Sequence, residues 1–201
     1  MNADDKAGIE KAEAEKNEIL EKSKKYAQLA IEQYSKIIQE YKDFARTDEV
    51  LYFLGLNLME MNDERRAILS YNRLVDKFPK SKYLPDAFLA RGEYYFNNSK
   101  GKRDQLEKAL ENYKSASKYP ENAVYGYALY KQGWCHFNMA DYDKAMDQFK
   151  AVVLYAEFAG QEAVEGKKGS KSSRAGLAKE ARNDFVRAYS RAGGTPTEAK
   201  D

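Results

Sequence analysis

Residues Leu51–Pro79 read LYFLGLNLMEMNDERRAILSYNRLVDKFP. Apolar residues recur at helical spacing on both sides of Met61-Asn62-Asp63, which reads as a tight turn. Phe78-Pro79 ends the second stretch, because proline cannot continue the hydrogen-bond ladder. The stretch therefore predicts a helix pair over about 48–61 and 64–78, with Asn62 or Asp63 capping the second helix. Its small and aromatic residues Gly55, Ala67, Tyr71 and Pro79 return as Gly92, Ala109, Tyr113 and Pro120. They return again as Gly133, Ala145 and Phe149. A period in the thirties carried by paired helices predicts stacked helix–turn–helix units.

Two further pairs follow, over about 84–97 with 103–118 and 123–138 with 142–157. Ala109 falls five residues late, so the turn around Gly101 carries an insertion. Upstream, no Gly or Pro interrupts Ile9 to Tyr41, which predicts one long helix over about 5–42. Its apolar face is dense from Ala27 to Tyr41 and thin before that, where Ile9, Ile19 and Leu20 are the main members. Downstream, glycines, serines and lysines over 158–174 read as a flexible loop. A last helix spans about 175–192, and the tail 194–201 reads as disordered.

Composition supports a packed helical chain. A hydrophobic share of 43% fills a core, and opposite charges nearly cancel at +2, which argues against general nucleic-acid binding. No run of about 18 apolar residues exists to insert in a membrane. Cys135 is the one cysteine, so no disulfide closes within a monomer.

The repeated pattern resembles the tetratricopeptide repeat (TPR), a helix pair of about 34 residues. The resemblance covers roughly residues 11–157, as a degenerate first unit 11–44 and units 48–81, 85–121 and 126–157, with a half-unit or cap at 175–193. It implies an all-α fold, a right-handed superhelix of antiparallel helix pairs. Physically, a side chain larger than alanine at Gly55, Gly92 or Gly133 would force paired helices apart. The aromatics Tyr71, Tyr113 and Phe149 are expected to fill the space between successive pairs. The stretch Tyr125–Asn138 and the segment Phe78-Pro79-Lys80-Ser81 are similar to TPR proteins of Gram-negative envelopes, those of outer-membrane assembly, cell-wall coordination and gliding motility. Such proteins reach the periplasm on a signal peptide. Residues 1–16 have no apolar signal core, so the chain is expected to be a piece of a longer one, periplasmic or outer-membrane associated. A cytoplasmic location is the alternative.

The family's first helices line a concave groove that takes a protein or peptide. Carried onto this sequence, the groove residues are Tyr52, Leu56 and Met59, then Leu89, Glu93, Phe96 and Asn97, then Tyr127, Tyr130, Trp134, Phe137 and Asn138. Aromatic anchors dominate interface energies, so an apolar or aromatic peptide or helix is the expected ligand. The alternative is that helix 175–192 returns to cover Tyr130, Trp134 and Phe137, or that a missing next unit would. Glu49, Glu60, Asp86 and Glu93 would repel a carboxylate, so no clamp for a C-terminal tail is expected.

Nothing in the sequence assembles a catalytic site or a cofactor or metal site. His136 is the one histidine and stands where the family has a packing aromatic, and adjacent helical residues diverge too far for a Cys135–His136 pair. Gly166-Lys167-Lys168-Gly169-Ser170 lacks the spacing of a phosphate loop. The basic run Lys167, Lys168, Lys171 and Arg174 stands beside Glu162 and Glu165 without interleaved aromatics, as in a solvated loop. The expected activity is a non-catalytic interaction scaffold. A homo-oligomer stacking through incomplete terminal units is the rival reading.

Overall fold

The computed structural model describes the backbone of residues 3–161 and 168–193, and the side chains of residues 8–157 and 175–193. All described secondary structure is helical: α1 (Ala3–Glu40), α2 (Thr47–Glu60), α3 (Glu64–Lys77), α4 (Leu84–Asn97), α5 (Arg103–Ala116), α6 (Tyr125–Asn138), α7 (Tyr142–Gln161) and α8 (Lys168–Arg191). The chain divides into two compact units, Met1–Ser81 and Lys82–Asp201.

In the first unit, α2 and α3 form an antiparallel pair, and the C-terminal half of α1 packs on α2. Val50, Leu51, Leu54 and Leu58 bury one face of α2; Ala67, Ile68, Tyr71 and Leu74 bury one face of α3. Asp63 caps α3, its Oδ1 accepting from the Arg66 amide at 3.2 Å. The turn reverses through Asn62 in the left-handed region, φ 58°. Ser81 then folds back and donates to Asp48 Oδ2 at 2.7 Å, tying the end of the pair to the start of α2.

In the second unit, α4 pairs with α5 and α6 with α7, while α8 packs on α7 and α6. The helices α4, α6 and α8 make one row, each touching the next. Asn122 repeats the Ser81 device, donating to Asp86 Oδ2 at the start of α4 at 3.4 Å. Arg103 on α5 reaches the α6–α7 turn, donating to Met139 O at 3.3 Å and to Asp141 Oδ2 at 3.2 Å. Gln132 on α6, buried, donates to Ser117 Oγ at 2.9 Å.

Three expectations change in detail. The rings of Tyr71, Tyr113 and Phe149 do not only fill space between pairs; each lies on the glycine of its own pair. A Cβ built at Gly55, Gly92 or Gly133 would sit 2.6, 2.5 and 2.5 Å from the Cε1 of Tyr71, Tyr113 and Phe149 respectively. The glycine thus seats a ring rather than a bare backbone. The insertion in the second pair is looped out at 98–102, with Lys100 and Gly101 left-handed, so Tyr113 still finds Gly92. Finally, the segment expected as a loop over 158–174 is helical at both ends, since α7 runs to Gln161 and α8 starts at Lys168. Each glycine or serine lowers helix propensity by no more than about 1 kcal/mol, which a helix continuing into packed residues overrides. Residues 162–167 and the tail 194–201 lie outside the described residues.

Candidate functional site

The sequence places an aromatic ladder along α6, and its geometry decides what the second unit presents. Tyr127 and Tyr130 have ring centroids 6.3 Å apart, Tyr130 and Trp134 6.5 Å, and Trp134 and Phe137 5.3 Å. Phe137 continues the run to Tyr142 of α7 at 5.5 Å. Spacings of three or four residues put these side chains on one helical face. They are not equally available. Tyr127 is 39% exposed, whereas Tyr130, Trp134 and Phe137 are half-buried against the cluster of Phe149, Val152, Ala181 and Ala188.

The last helix covers much of this ladder. Tyr130 donates its hydroxyl to Asp184 Oδ2 at 2.6 Å. Asp184 is buried and also pairs with Arg187 at 3.1 Å. The Arg187 guanidinium lies 5.6 Å from the Trp134 ring. Burial, with the Asp184 hydrogen bond second, pushes the Tyr130 phenol up to about 12. So Tyr130 and Trp134 serve the internal packing of α8 on one side and present their remaining surface on the other.

Glu93 on α4 is engaged inside the unit. Its carboxylate accepts from Tyr113 Oη at 2.7 Å and from Lys131 Nζ at 3.2 Å. The Lys131 ammonium, in a buried residue, lies 4.1 Å from the Phe96 ring centroid and 5.8 Å from those of Tyr113 and Tyr127. This hub joins α4, α5 and α6, and the charge of Glu93 is largely answered by Lys131. Burial raises the Tyr113 phenol well above its ordinary range, with the Glu93 charge second. Sequence reading passed over Lys131. The available signal was a lone cation between Tyr127 and Trp134 in an otherwise uncharged helix. Around the hub, Leu89 and Phe96 are half-buried, and Asn97 and Asn138 are exposed. Asn138 donates to Trp134 O at 2.8 Å, which uses its amide locally.

In the first unit, Leu56 is 39% exposed, and Tyr52 and Met59 are half-buried. The Tyr52 ring packs edge-on to Phe53 at 5.1 Å. A separate cleft of about 650 Å³ lies between α1 and the α2–α3 turn, where Ile31 and Leu58 meet Glu32, Lys36 and Arg66.

Neither lone reactive side chain is poised for chemistry. Cys135 is fully buried, and burial pushes its thiol up to about 12. His136 is buried, with Nδ1 3.7 Å from Asp141 Oδ2 and no hydrogen bond. Burial and then the Lys114 charge depress its pKa. Among the described residues no three His, Cys, Asp or Glu side chains gather to hold a metal ion, and no helix is long and apolar enough to cross a membrane.

A tetratricopeptide repeat family model matches the chain at residues 49–81 and again at residues 127–155. Over these two stretches the chain is similar to tetratricopeptide repeats. The two matches are the pairs α2–α3 and α6–α7, in which a glycine of the first helix seats the ring of the second. The pair α4–α5 lies between them and repeats the same seat across its looped-out insertion. No curated protein matches the chain. Repeats of this type make a protein-interaction scaffold, generally non-catalytic, whose ligands are proteins or peptides.

Proposed function

We propose that the scaffold binds an apolar or aromatic peptide or helix through the first helices of its pairs. The observation that carries this reading is the continuous ladder Tyr127, Tyr130, Trp134 and Phe137, which keeps exposed surface after the core is satisfied. A half-buried aromatic is rigid and partly desolvated before any ligand arrives, so its remaining face contributes binding energy at low entropic cost. Phe96, against the Lys131 ammonium, and Asn138, bonded to Trp134 O, border the ladder; Leu89 and Asn97 lie on the same helix as Phe96, and on the first unit Tyr52, Leu56 and Met59 supply the corresponding face of α2. The Lys131–Glu93 hub supports that surface from beneath and leaves it without a net cation for a carboxylate. The partner is therefore recognised by apolar side chains rather than by a charged C-terminus.

The similarity of Tyr125–Asn138 and Phe78–Ser81 to envelope TPR proteins supports a place in a Gram-negative cell-envelope complex. Panning the immobilised chain against a random peptide library tests the binding mode. Enrichment of sequences rich in Phe, Trp, Leu and Tyr, lost with Tyr127→Ala at unchanged melting temperature, is the expected result. Selection of sequences defined by a free acidic C-terminus would overturn it.

A further inference from the structure

The first half of α1 is the least explained part of the molecule. Every residue from Gly8 to Tyr26 is exposed, including Ile9 at 47%, Ile19 at 67%, Leu20 at 46% and Tyr26 at 70%. At 100° per residue these four fall on a stripe about 120° wide. The same stripe continues into Ala27 and Ile31, which are buried where α1 packs on α2. The packing face of α1 thus extends some five turns beyond what covers it. A solitary helix of this length is marginal in water. The exposed ion pairs Lys22–Glu18, Lys24–Glu21 and Lys11–Glu15 add only about 0.3–0.5 kcal/mol each.

Charge along the segment is uneven. Residues 8–18 hold four acids (Glu10, Glu13, Glu15, Glu18) and two bases (Lys11, Lys16). Residues 19–26 hold one acid (Glu21) and three bases (Lys22, Lys24, Lys25). A second copy laid parallel sets like on like, whereas an antiparallel copy sets the acidic half against the basic half. One antiparallel register also matches the stripe: Ile9 meets Tyr26, Ala12 meets Ser23, and the aliphatic stem of Lys16 covers Ile19. In that register Glu13 and Lys24 share one flank of the seam and Glu15 and Lys22 the other, each pair about two residues apart along the axis. We infer that residues 8–26 of α1 form an antiparallel two-helix contact with the same segment of a second copy of this chain. Isologous contacts of this kind close as a two-fold dimer and do not propagate.

Sedimentation of the full chain over a concentration series is expected to show the apparent mass rising from 23.0 kDa towards twice that value. The exposed pair Ile19→Glu with Leu20→Glu removes the seam without touching the core, so it should stay monomeric at an unchanged melting temperature. Register is read with single cysteines and a short bismaleimide, since Cys135 is fully buried. Ala12→Cys mixed with Ser23→Cys should give a cross-linked dimer, and neither alone should. A chain monomeric throughout, a mass increase that survives the double Glu variant, or a cross-link formed by Ala12→Cys alone would each overturn the assignment.

Discussion

The ring of Tyr113 rests on the backbone of Gly92, close enough that a Cβ there would stand 2.5 Å from Cε1. The ring cannot swing aside, because it is fully buried and its hydroxyl is anchored on Glu93 at 2.7 Å. Gly92→Ala should therefore destabilise the second unit. Overpacking costs about 1–3 kcal/mol, from which the helix-propensity gain of alanine, about 1 kcal/mol, is to be subtracted. Gly176, also helical, has no atom within 4 Å of its built Cβ, so Gly176→Ala should be neutral or stabilising by up to about 1 kcal/mol. Urea denaturation of the two variants checks the opposite signs.

At the α6–α7 turn Ala140 adopts φ 62°, a conformation that suits glycine and strains alanine. Ala140→Gly should raise stability by about 1 kcal/mol. The equivalent Asn62 of the α2–α3 turn, at φ 58°, tolerates this region better, so Asn62→Gly should gain less. Thermal melts of the two variants give the comparison.

The Glu93–Lys131 pair supplies a different asymmetry. Glu93→Ala strands a buried ammonium and removes the acceptor for Tyr113, and should cost about 3 kcal/mol. Lys131→Met keeps the volume and the contact with Phe96, and leaves Glu93 half-buried with Tyr113 still donating; it should cost much less. A smaller loss for Glu93→Ala than for Lys131→Met in equilibrium unfolding would assign the stabilisation to the lysine's ring contacts instead.

These relationships show which features the sequence made readable. Helix positions followed from periodicity and punctuation, since Pro79, Asn62-Asp63 and the glycine-centred helices act locally. The glycine–aromatic seat was visible as recurrence, but its partner was not: pairing Gly55 with Tyr71 rather than with a neighbouring repeat needs the three-dimensional register. The seat of Tyr155 on Gly126, 2.5 Å from a built Cβ, fell outside the recurring pattern altogether. At the candidate site, sequence placed Tyr130, Trp134 and Phe137 on one face and left open what lay across from them. The answer depends on Asp184, a single polar residue 54 positions from Tyr130, and no local rule connects the two.

Tyr130→Phe tests that connection. It removes the hydroxyl that donates to Asp184 and keeps the ring against Phe149, 5.8 Å away. Asp184 retains Arg187, so the loss should be about 1.5–3 kcal/mol, as for a hydrogen bond to a charged group. Amide exchange should quicken in α8 before it does in α4 and α5, because α8 is the element the bond holds.

Stability should also fall on mild acidification, through His136. Its pKa is depressed by burial first and by the Lys114 charge second; Lys144 adds in the same direction, and Asp141 opposes them. The folded state therefore holds the ring neutral at a pH where the unfolded chain, with the ordinary value of 6.5, binds a proton. Its contribution is complete above pH 6.5 and is lost as pH falls from there through the lower folded value. His136→Gln cannot take up that proton. The stability difference between the native chain and His136→Gln, measured by urea unfolding at stepped pH, should shift against the native chain below pH 6.5 and stay flat above it. A difference independent of pH would show that Asp141, 3.7 Å from Nδ1, closes on the protonated ring and cancels the cost of burying it.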